Sequence, residues 1–209
     1  MDNELSAYIQ GLIPARDELL TRMEQSAEEK AIPILDLETS QLLRVLLRQL
    51  NPKKILEVGA AIGYSAIVMA QSCSAKIVTI ERDRERAEEA LENIQEAGLQ
   101  DRIELLVGDA FDILPTLYDS FDVVFLDAAK GQYPRFLELV LPLLRASGTL
   151  FSDNVFFHGL VAGPEQVKHK MRTIVARLRE YNQMLAIDSR LETAFVPIGD
   201  GLAVSVKKG

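Results

Sequence analysis

Residues 55–65 combine an apolar run with two closely spaced glycines and read Ile55-Leu56-Glu57-Val58-Gly59-Ala60-Ala61-Ile62-Gly63-Tyr64-Ser65. The apolar run breaks at Gly59, small residues continue to Gly63, and helix-forming residues resume at Ala66, which predicts a buried strand, a tight turn and a helix. Glycines in such a turn let the backbone come close to a ligand at the carboxyl end of the strand, where open α/β sheets bind their ligands. The stretch therefore predicts the first unit of an α/β fold with a ligand site at its turn.

The spacing of the glycines bears on which ligand the turn would bind. A dinucleotide fingerprint requires Gly-x-Gly-x-x-Gly, whereas Ala61 stands at the middle position of a Gly-x-x-x-Gly frame here. Glu57, two residues before the turn, would also repel a pyrophosphate. S-adenosylmethionine (SAM) carries an amino group and a sulfonium but no phosphate, so the frame favours SAM. A strand and turn without any ligand is the alternative that this stretch alone leaves open.

Composition limits the classes of partner. The chain has 209 residues, of which 48% are hydrophobic and 26% charged, and this suits one globular domain over residues 1–209. The formal net charge of −8 argues against a nucleic-acid or anionic membrane surface, because phosphate binding needs clustered Lys and Arg. We therefore expect a small-molecule partner, with no nucleic acid and no membrane.

Three features of the sequence predict a cytoplasmic protein. A single cysteine, Cys73, cannot form an intrachain disulfide, which fits a reducing compartment. The first residues, 1–4, are acidic where a signal peptide would be basic, and the uncharged run 58–75 is too interrupted by glycine and polar residues for a membrane span.

Strand and helix patterns alternate along the chain, which predicts a parallel sheet covered on both faces. A hairpin signal at 198–201 adds an antiparallel pair at the end of the chain. The predicted strands are 55–58, 76–80, 103–107, 121–127, 149–152, 189–197 and 202–207. The predicted helices lie within 3–25, with a break at Pro14, and at 36–51, 66–70, 83–97, 110–117, 134–144 and 166–184.

Polar residues follow the second and third strands. Glu81 ends the second strand about 20 residues after the glycine turn, where an acidic side chain accepts hydrogen bonds from a ribose diol. This feature does not separate SAM from NAD, because both carry the ribose. Asp109 and Ala110 lie where an adenine edge would sit, although Asp109 is also a good helix N-cap.

Oxygen ligands follow the fourth and fifth strands. Asp127 ends one strand, and Asp153 and Asn154 end the next, so adjacent strands would bring two carboxylates and an amide oxygen together. Such a set suits Mg²⁺, Mn²⁺ or Ca²⁺, with positions left for water and substrate. Lys130 could then take a proton from a substrate hydroxyl. Each residue alone has a simpler explanation as a strand-end or loop residue, and the conjunction carries the prediction.

Four motifs together resemble the cation-dependent class of SAM-dependent O-methyltransferases, which includes catechol and caffeoyl-CoA O-methyltransferases. They are Glu-Val-Gly-x-x-x-Gly-Tyr-Ser (57–65), Phe-Leu-Asp-Ala-Ala-Lys-Gly-Gln-Tyr (125–133), Ser-Asp-Asn-Val (152–155) and Pro-Ile-Gly-Asp-Gly (197–201). The resemblance runs from about Asp36 to the C-terminus. It implies a Rossmann-like, seven-stranded, mostly parallel sheet with an antiparallel last strand. It also implies a helical lid over 1–35, a SAM-binding catalytic core over 36–209, and a homodimer.

The resemblance also implies roles for single residues. Asp127, Asp153 and Asn154 would bind the divalent metal, and Lys130 would be the general base. Glu81 would hold the ribose of SAM, and Asp127 would also lie beside the cofactor. The methionine end of SAM would contact Glu57, Gly59, Ala60 and Ser65, and the adenine would contact Asp109 and Ala110. The methyl group would then pass directly from SAM to a small phenolic acceptor.

Some positions depart from the family pattern. Ala129 stands where an Asp or Trp is common, and Ser40 stands where a Gly is common. The lid is shorter than in the plant enzymes, and Phe156 and Phe157 would form an aromatic wall of the acceptor pocket. These departures leave open a module that binds SAM without methyl transfer. Glu81 and the alternation of strands and helices leave a NAD-dependent oxidoreductase as a second alternative, against which the missing middle glycine argues.

Overall fold

The computed structural model describes residues 3–163 and 168–209, which contain a seven-stranded sheet with helices around it. The strands are β1 (Lys54–Val58), β2 (Lys76–Glu81), β3 (Ile103–Val107), β4 (Phe121–Leu126), β5 (Leu144–Asp153), β6 (Leu191–Val196) and β7 (Leu202–Lys207). The helices are α1 (Asn3–Leu12), α2 (Glu18–Lys30), α3 (Leu37–Leu50), α4 (Tyr64–Ser72), α5 (Arg84–Glu96), α6 (Ala110–Ile113), α7 (Tyr133–Leu143) and α8 (Arg172–Ile187).

The strand order of the sheet is β3-β2-β1-β4-β5-β7-β6. The pairs β1–β2, β2–β3 and β4–β5 are parallel. The last strand, β7, is antiparallel to both β5 and β6. The predicted fold class, a mostly parallel sheet with an antiparallel last strand, is therefore confirmed. The chain divides into two compact units, one ending at Ala110 and the other spanning Phe111–Gly209; the single domain of the sequence analysis stays a prediction.

The first unit is built around the strand, turn and helix predicted at 55–65. Four of the five residues of β1 are buried, as expected for a strand covered on both faces. Almost every residue of α4 is also buried, since α3 packs against it. The N-terminal helices α1 and α2 are separated near Pro14, and Asp17 caps α2 by accepting the N–H of Leu20 at 2.8 Å.

A buried phenol fastens α2 to the start of α4. Tyr64 is 2% exposed, and its hydroxyl donates to Glu24 Oε1 at 2.7 Å. Arg16 donates to both oxygens of the same carboxylate, Nε to Oε1 at 2.9 Å and Nη2 to Oε2 at 2.6 Å. Burial raises the pKa of the Tyr64 phenol, and the hydrogen bond to Glu24 raises it further. The helix that follows the glycine turn, α4, is thus tied to α2 and to Arg16 just before it.

Removing this hydroxyl is expected to destabilise the protein. Tyr64→Phe should lower the free energy of unfolding by about 1–2 kcal/mol, because it deletes a hydrogen bond to a largely buried carboxylate. Urea unfolding measures the change. Tyr118→Phe is the matched control, since Tyr118 is 96% exposed and should change stability by less than about 0.5 kcal/mol. Equal effects of the two substitutions would contradict the role given to the Tyr64 hydroxyl.

The second unit contains β4 to β7 with α7 and α8. Its largest buried side chains include Tyr133, Tyr181, Phe125 and Phe151. The rings of Tyr133 and Tyr181 meet edge to face, with centroids 5.1 Å apart. These tyrosines anchor α7 and α8 in the core of this unit.

The sequence prediction was wrong at the start of β5. The strand begins at Leu144 rather than at residue 149, because Leu144 pairs with Phe121 before an irregularity in the register. Residues 145–148 then lie opposite Asp122 alone, and regular pairing resumes between Thr149 and Val123. A Cβ atom on Gly148 would lie 2.7 Å from Leu144 Cδ1, so this bulge requires glycine there. Residues 145–147 are exposed, which hid the strand from the apolar pattern.

Other boundaries differ by smaller amounts. The start of the helix predicted over 166–184 falls at Gln166, outside the described residues. That helix ends at Ile187, where the N–H of Asp188 donates to the carbonyl of Met184 at 3.0 Å. Within the part of the chain that the structure describes, no helix has the length and apolarity needed to cross a membrane.

Candidate active site

The glycine turn lies directly against the end of β2. The N–H groups of Gly59 and Ala60 both donate to the carbonyl of Ile80, at 3.0 and 3.1 Å. Gly59 has a φ of 103° and Gly63 a φ of 84°, conformations in which a side chain would be strained. A Cβ atom on Gly63 would also lie 3.3 Å from Ala90 Cβ in α5. Both glycines of the frame are therefore required by the backbone path of the turn.

Glu81 holds this turn through its carboxylate. Its Oε2 accepts the N–H of Ala61 at 2.8 Å, and its Oε1 accepts the N–H groups of Arg82 and Asp83, both at 2.9 Å. The residue is 8% exposed. A carboxylate offers about four lone-pair directions, so these three bonds leave about one, on Oε2, for a ligand hydroxyl. The sequence predicted a ribose contact at Glu81 but missed this backbone role.

Glu57 is completely buried at the end of β1. Thr79, its neighbour in the register of β2, donates its hydroxyl to Glu57 Oε2 at 2.5 Å. Ala60 and Ser65 are also buried, in the turn and in the first turn of α4 respectively. The residues predicted for the methionine end of SAM therefore surround one turn, with Thr79 as a partner that sequence reasoning did not identify.

The loop after β3 joins the same edge of the parallel strands. The N–H of Gly108 donates to the carbonyl of Glu81 at 2.8 Å, which brings the loop to the end of β2. Asp109 is exposed, whereas Ala110 is buried and begins the four-residue helix α6. The structure thus places the residues predicted for the methionine end, the ribose and the adenine at the carboxyl ends of β1, β2 and β3.

The predicted metal ligands lie at the carboxyl ends of β4 and β5. The last pair in the register of these strands is Leu126 and Ser152, so Asp127 and Asp153 follow at the same level. Asp153 is 2% exposed. Asn154 has a φ of 55°, the left-handed conformation that asparagine tolerates better than most residues. The parallel pairing therefore brings the three predicted ligands to one end of two neighbouring strands.

Lys130 contacts this group of residues. Its Nζ forms an ion pair with Asp127 and donates to the Tyr133 hydroxyl at 3.1 Å. The side chains of Lys130 and Asp127 are 17% and 24% exposed. Burial raises the pKa of Tyr133 well above its usual range, and the negative charges of Asp127 and Asp153 raise it further. Both carboxylates therefore lie close enough to the phenol to affect it.

The chemistry of these donors fits a hard cation. Carboxylate and amide oxygens are the ligands that Mg²⁺, Mn²⁺ and Ca²⁺ prefer. Within residues 3–163 and 168–209 no three His, Cys, Asp or Glu side chains are grouped as a metal site, but the predicted set has two carboxylates and an amide. The metal role of the three residues stays a prediction.

The β6–β7 hairpin holds the loop that follows Asn154. Asp200 accepts the N–H of Phe156 through its carbonyl at 3.0 Å, and its carboxylate accepts the N–H of His158. Gly201 has a φ of 92°, and a Cβ atom there would lie 2.4 Å from Phe156 Cδ2. The ring of Phe156 thus packs on the hairpin, with its centroid 6.4 Å from that of Phe195.

The chain is similar to O-methyltransferases over almost its whole length. It is 31% identical over 212 residues to the caffeoyl-CoA O-methyltransferase of Stellaria longipes, covering 95% of this chain and 88% of that protein. It is 30% identical over 214 residues to the catechol O-methyltransferase of Niastella koreensis, covering 96% of this chain and 95% of that protein. The structure matches the O-methyltransferase TomG from Streptomyces achromogenes, solved in complex with SAM, with a TM-score of 0.86. That match has 32% identity and covers 99% of this chain and 97% of that one.

The family model for O-methyltransferases matches residues 6–208. The chain belongs to the SAM-dependent O-methyltransferase family. This confirms the resemblance and the prediction of an enzyme that uses SAM. The alternative of a NAD-dependent oxidoreductase, which Glu81 and the alternation of strands and helices had left open, is wrong, because the family uses SAM.

In this O-methyltransferase, Tyr133 is the main site residue that sequence reasoning missed. It closes the motif at 125–133, three residues after Lys130, so the phenol and the amine lie on the same side of a helical turn. The three-residue spacing was the available sequence signal for this contact. The contact also requires Tyr133 to be buried, and the burial of a tyrosine cannot be predicted from one motif.

Proposed function

We propose that the protein transfers the methyl group of SAM to one hydroxyl of a small catechol-like phenol, with the help of a divalent cation held by Asp127, Asp153 and Asn154. The observation that carries the proposal is the register of β4 and β5. It sets Asp127 and Asp153 at the same level of the two strands. Asn154 follows Asp153 directly and has a left-handed backbone conformation.

The residues at the ends of β1 to β3 would bind the methyl donor. Buried Glu57 would accept hydrogen bonds from the amino group of SAM, and the remaining lone pair of Glu81 would accept one from a ribose hydroxyl. The solved complex of TomG with SAM supports the choice of donor. The remaining contacts would come from Gly59, Ala60, Ser65, Asp109, Ala110 and Asp127.

A divalent cation at Asp127, Asp153 and Asn154 would lower the pKa of a coordinated hydroxyl and orient it. Mg²⁺, Mn²⁺ and Ca²⁺ all suit such oxygen ligands. A cation held there would also offset the cost of burying the Asp153 carboxylate.

Lys130 would take the proton of the acceptor hydroxyl. The neighbouring Tyr133 cannot do so, because a phenol with a raised pKa stays protonated. The acceptor oxygen would then attack the methyl carbon of SAM in line with the sulfur. A C–O bond forms, the C–S bond breaks, and S-adenosylhomocysteine leaves. No covalent bond to the enzyme is required, so catalysis consists mainly of positioning two bound partners.

The acceptor class follows from the ligands and the relatives. The relatives include a catechol and a caffeoyl-CoA O-methyltransferase, and both names describe vicinal diols as acceptors. A vicinal diol offers two oxygens to one cation. The homodimer, the cytoplasmic location and the absence of nucleic-acid and membrane partners stay predictions from the sequence.

A panel of matched acceptors tests the proposal. Methyl transfer from labelled SAM in the presence of Mg²⁺ is measured with caffeic acid, with its CoA ester and with the two monomethyl ethers of caffeic acid. Label should enter a diol and neither ether, because only a diol has two hydroxyl oxygens. Equal methylation of the ethers, or SAM binding without transfer to any diol, would contradict the proposal.

A further inference from the structure

The hydroxyl of Tyr133 contacts the ends of both β4 and β5. It is the first residue of α7, it is fully buried, and its ring packs edge to face against Tyr181. Its hydroxyl oxygen lies 3.1 Å from the carbonyl of Leu126 and 3.0 Å from the carbonyl of Asp153. These two carbonyls belong to neighbouring strands, one just before Asp127 and the other just before Asn154. One phenol therefore bridges both strand ends.

The same hydroxyl also accepts a hydrogen bond from Lys130 Nζ at 3.1 Å. A phenol has a single proton, and carbonyl oxygens can only accept. The proton of Tyr133 must therefore point at Leu126 or Asp153. Its oxygen is left as an acceptor for Lys130, so the direction of this hydrogen bond is fixed by the strand ends.

We infer that Tyr133 is a positioning residue, whose hydroxyl ties the ends of β4 and β5 together and aims the Lys130 amine at the acceptor hydroxyl. The inference rests on the proposed function, because it explains how Lys130, the general base proposed there, is oriented.

The aim follows from tetrahedral geometry at Nζ. Two acceptors hold the nitrogen, the carboxylate of Asp127 and the hydroxyl of Tyr133. The bond to Cε takes a third tetrahedral direction. One direction is left at Nζ, and it is the one open to the acceptor hydroxyl. Tyr133 thus selects which way Nζ faces.

The phenol suits this role because its hydroxyl lies among the two strand carbonyls and Lys130 Nζ, within hydrogen-bond distance of all three. A phenylalanine would preserve the ring contact with Tyr181 but would provide neither the bridge nor the acceptor.

Tyr181 supplies a matched control. It is also fully buried, its ring touches that of Tyr133, and its hydroxyl lies 2.6 Å from Ser152 Oγ. Tyr133→Phe and Tyr181→Phe each delete one buried hydroxyl from the same pair of rings. A purely structural effect should therefore be similar in the two variants.

The test compares kcat and KM with caffeic acid as acceptor. Tyr133→Phe should lower kcat by about 10- to 100-fold, since a misplaced catalytic group costs about this much. The KM for SAM should stay within about twofold, and Tyr181→Phe should keep most of the wild-type kcat. In a Lys130→Met background, Tyr133→Phe should cause no further loss, because Tyr133 acts through Lys130.

A second readout needs no acceptor. Acylation of Lys130 by an N-hydroxysuccinimide ester, followed by peptide mass spectrometry, reports how firmly the amine is held. Labelling should rise severalfold in Tyr133→Phe and stay unchanged in Tyr181→Phe.

Two results would overturn the inference, namely equal kinetics and labelling in both phenylalanine variants, or an undiminished loss from Tyr133→Phe in the Lys130→Met background. Failure of the proposed function has a different signature. Lys130→Met would then transfer methyl groups as fast as the wild type. That result would show that Lys130 is not the base, and the positioning role of Tyr133 would be wrong as well. Failure of the inference alone leaves Lys130→Met impaired.

Discussion

Asp153→Ala is expected to lower kcat/KM for methyl transfer to a catechol by about 10³-fold. A divalent cation contributes several kcal/mol to catalysis, and each 1.36 kcal/mol is a factor of ten in rate. Asp153 is the most buried of the three predicted ligands. The register of β5 with β4 places it level with Asp127. Its loss should also abolish binding of Mn²⁺, measured by titration calorimetry on the protein without acceptor.

Asp188→Ala is a suitable control for this variant. Asp188 is a carboxylate of the same unit whose partner is Arg190, with Oδ2 2.6 Å from Nη2. The hydrogen bond to Arg190 holds the pKa of Asp188 below its usual range, so this residue is an ionised carboxylate. Its removal should leave Mn²⁺ binding and methyl transfer unchanged. Wild-type Mn²⁺ affinity in Asp153→Ala, with its fold intact by circular dichroism, would remove Asp153 from the metal site.

Glu81→Gln is expected to weaken SAM binding by about 10- to 100-fold, since a hydrogen bond to a charged group is worth about 1.5–3 kcal/mol. The carboxylate accepts three backbone N–H groups, including that of Ala61 in the glycine turn. A glutamine amide can replace only one of the two accepting oxygens. Its NH₂ group would stand in place of the other and would face a backbone N–H donor. Both the shape of the turn and the ribose contact should suffer, and titration calorimetry with SAM measures the result.

The control for Glu81 comes from the helix that follows it. Glu85 is exposed in the first turn of α5, so Glu85→Gln changes the charge by the same amount without touching the turn. It should bind SAM like the wild type. A Kd for SAM in Glu81→Gln equal to that of Glu85→Gln would contradict both roles given to Glu81.

The sequence was sufficient for the strand, turn and helix at 55–65 because backbone constraints act locally. Gly59 and Gly63 both have positive φ values, and the positions of glycines can be read directly. The placement of Asp127 and Asp153 was also predictable, since the carboxyl ends of parallel neighbours meet at one edge of a sheet. These predictions needed only local pattern and the known geometry of parallel strands.

The parts that could not be predicted depend on contacts between residues far apart in the chain. Glu81 was read as a ligand for ribose, and its bond to Ala61 joins residues 20 positions apart. Tyr64 reaches Glu24 across 40 positions, and Tyr133 reaches the carbonyl of Asp153 across 20. No pattern within one element encodes such pairs. The bulge at 145–148 was missed for another reason, because its exposed residues show no alternation of apolar and polar side chains.

Dependence of the reaction on the cation is decided by methyl transfer from labelled SAM to caffeic acid, measured with Mg²⁺, with excess EDTA, and after Mg²⁺ is restored. We expect transfer with Mg²⁺, its loss in EDTA and its full recovery when the ion is restored, and no transfer by Asp153→Ala under any of the three conditions. Transfer that survives both EDTA and Asp153→Ala would rule out the proposed metal site, because neither the cation nor its most buried ligand would then be needed.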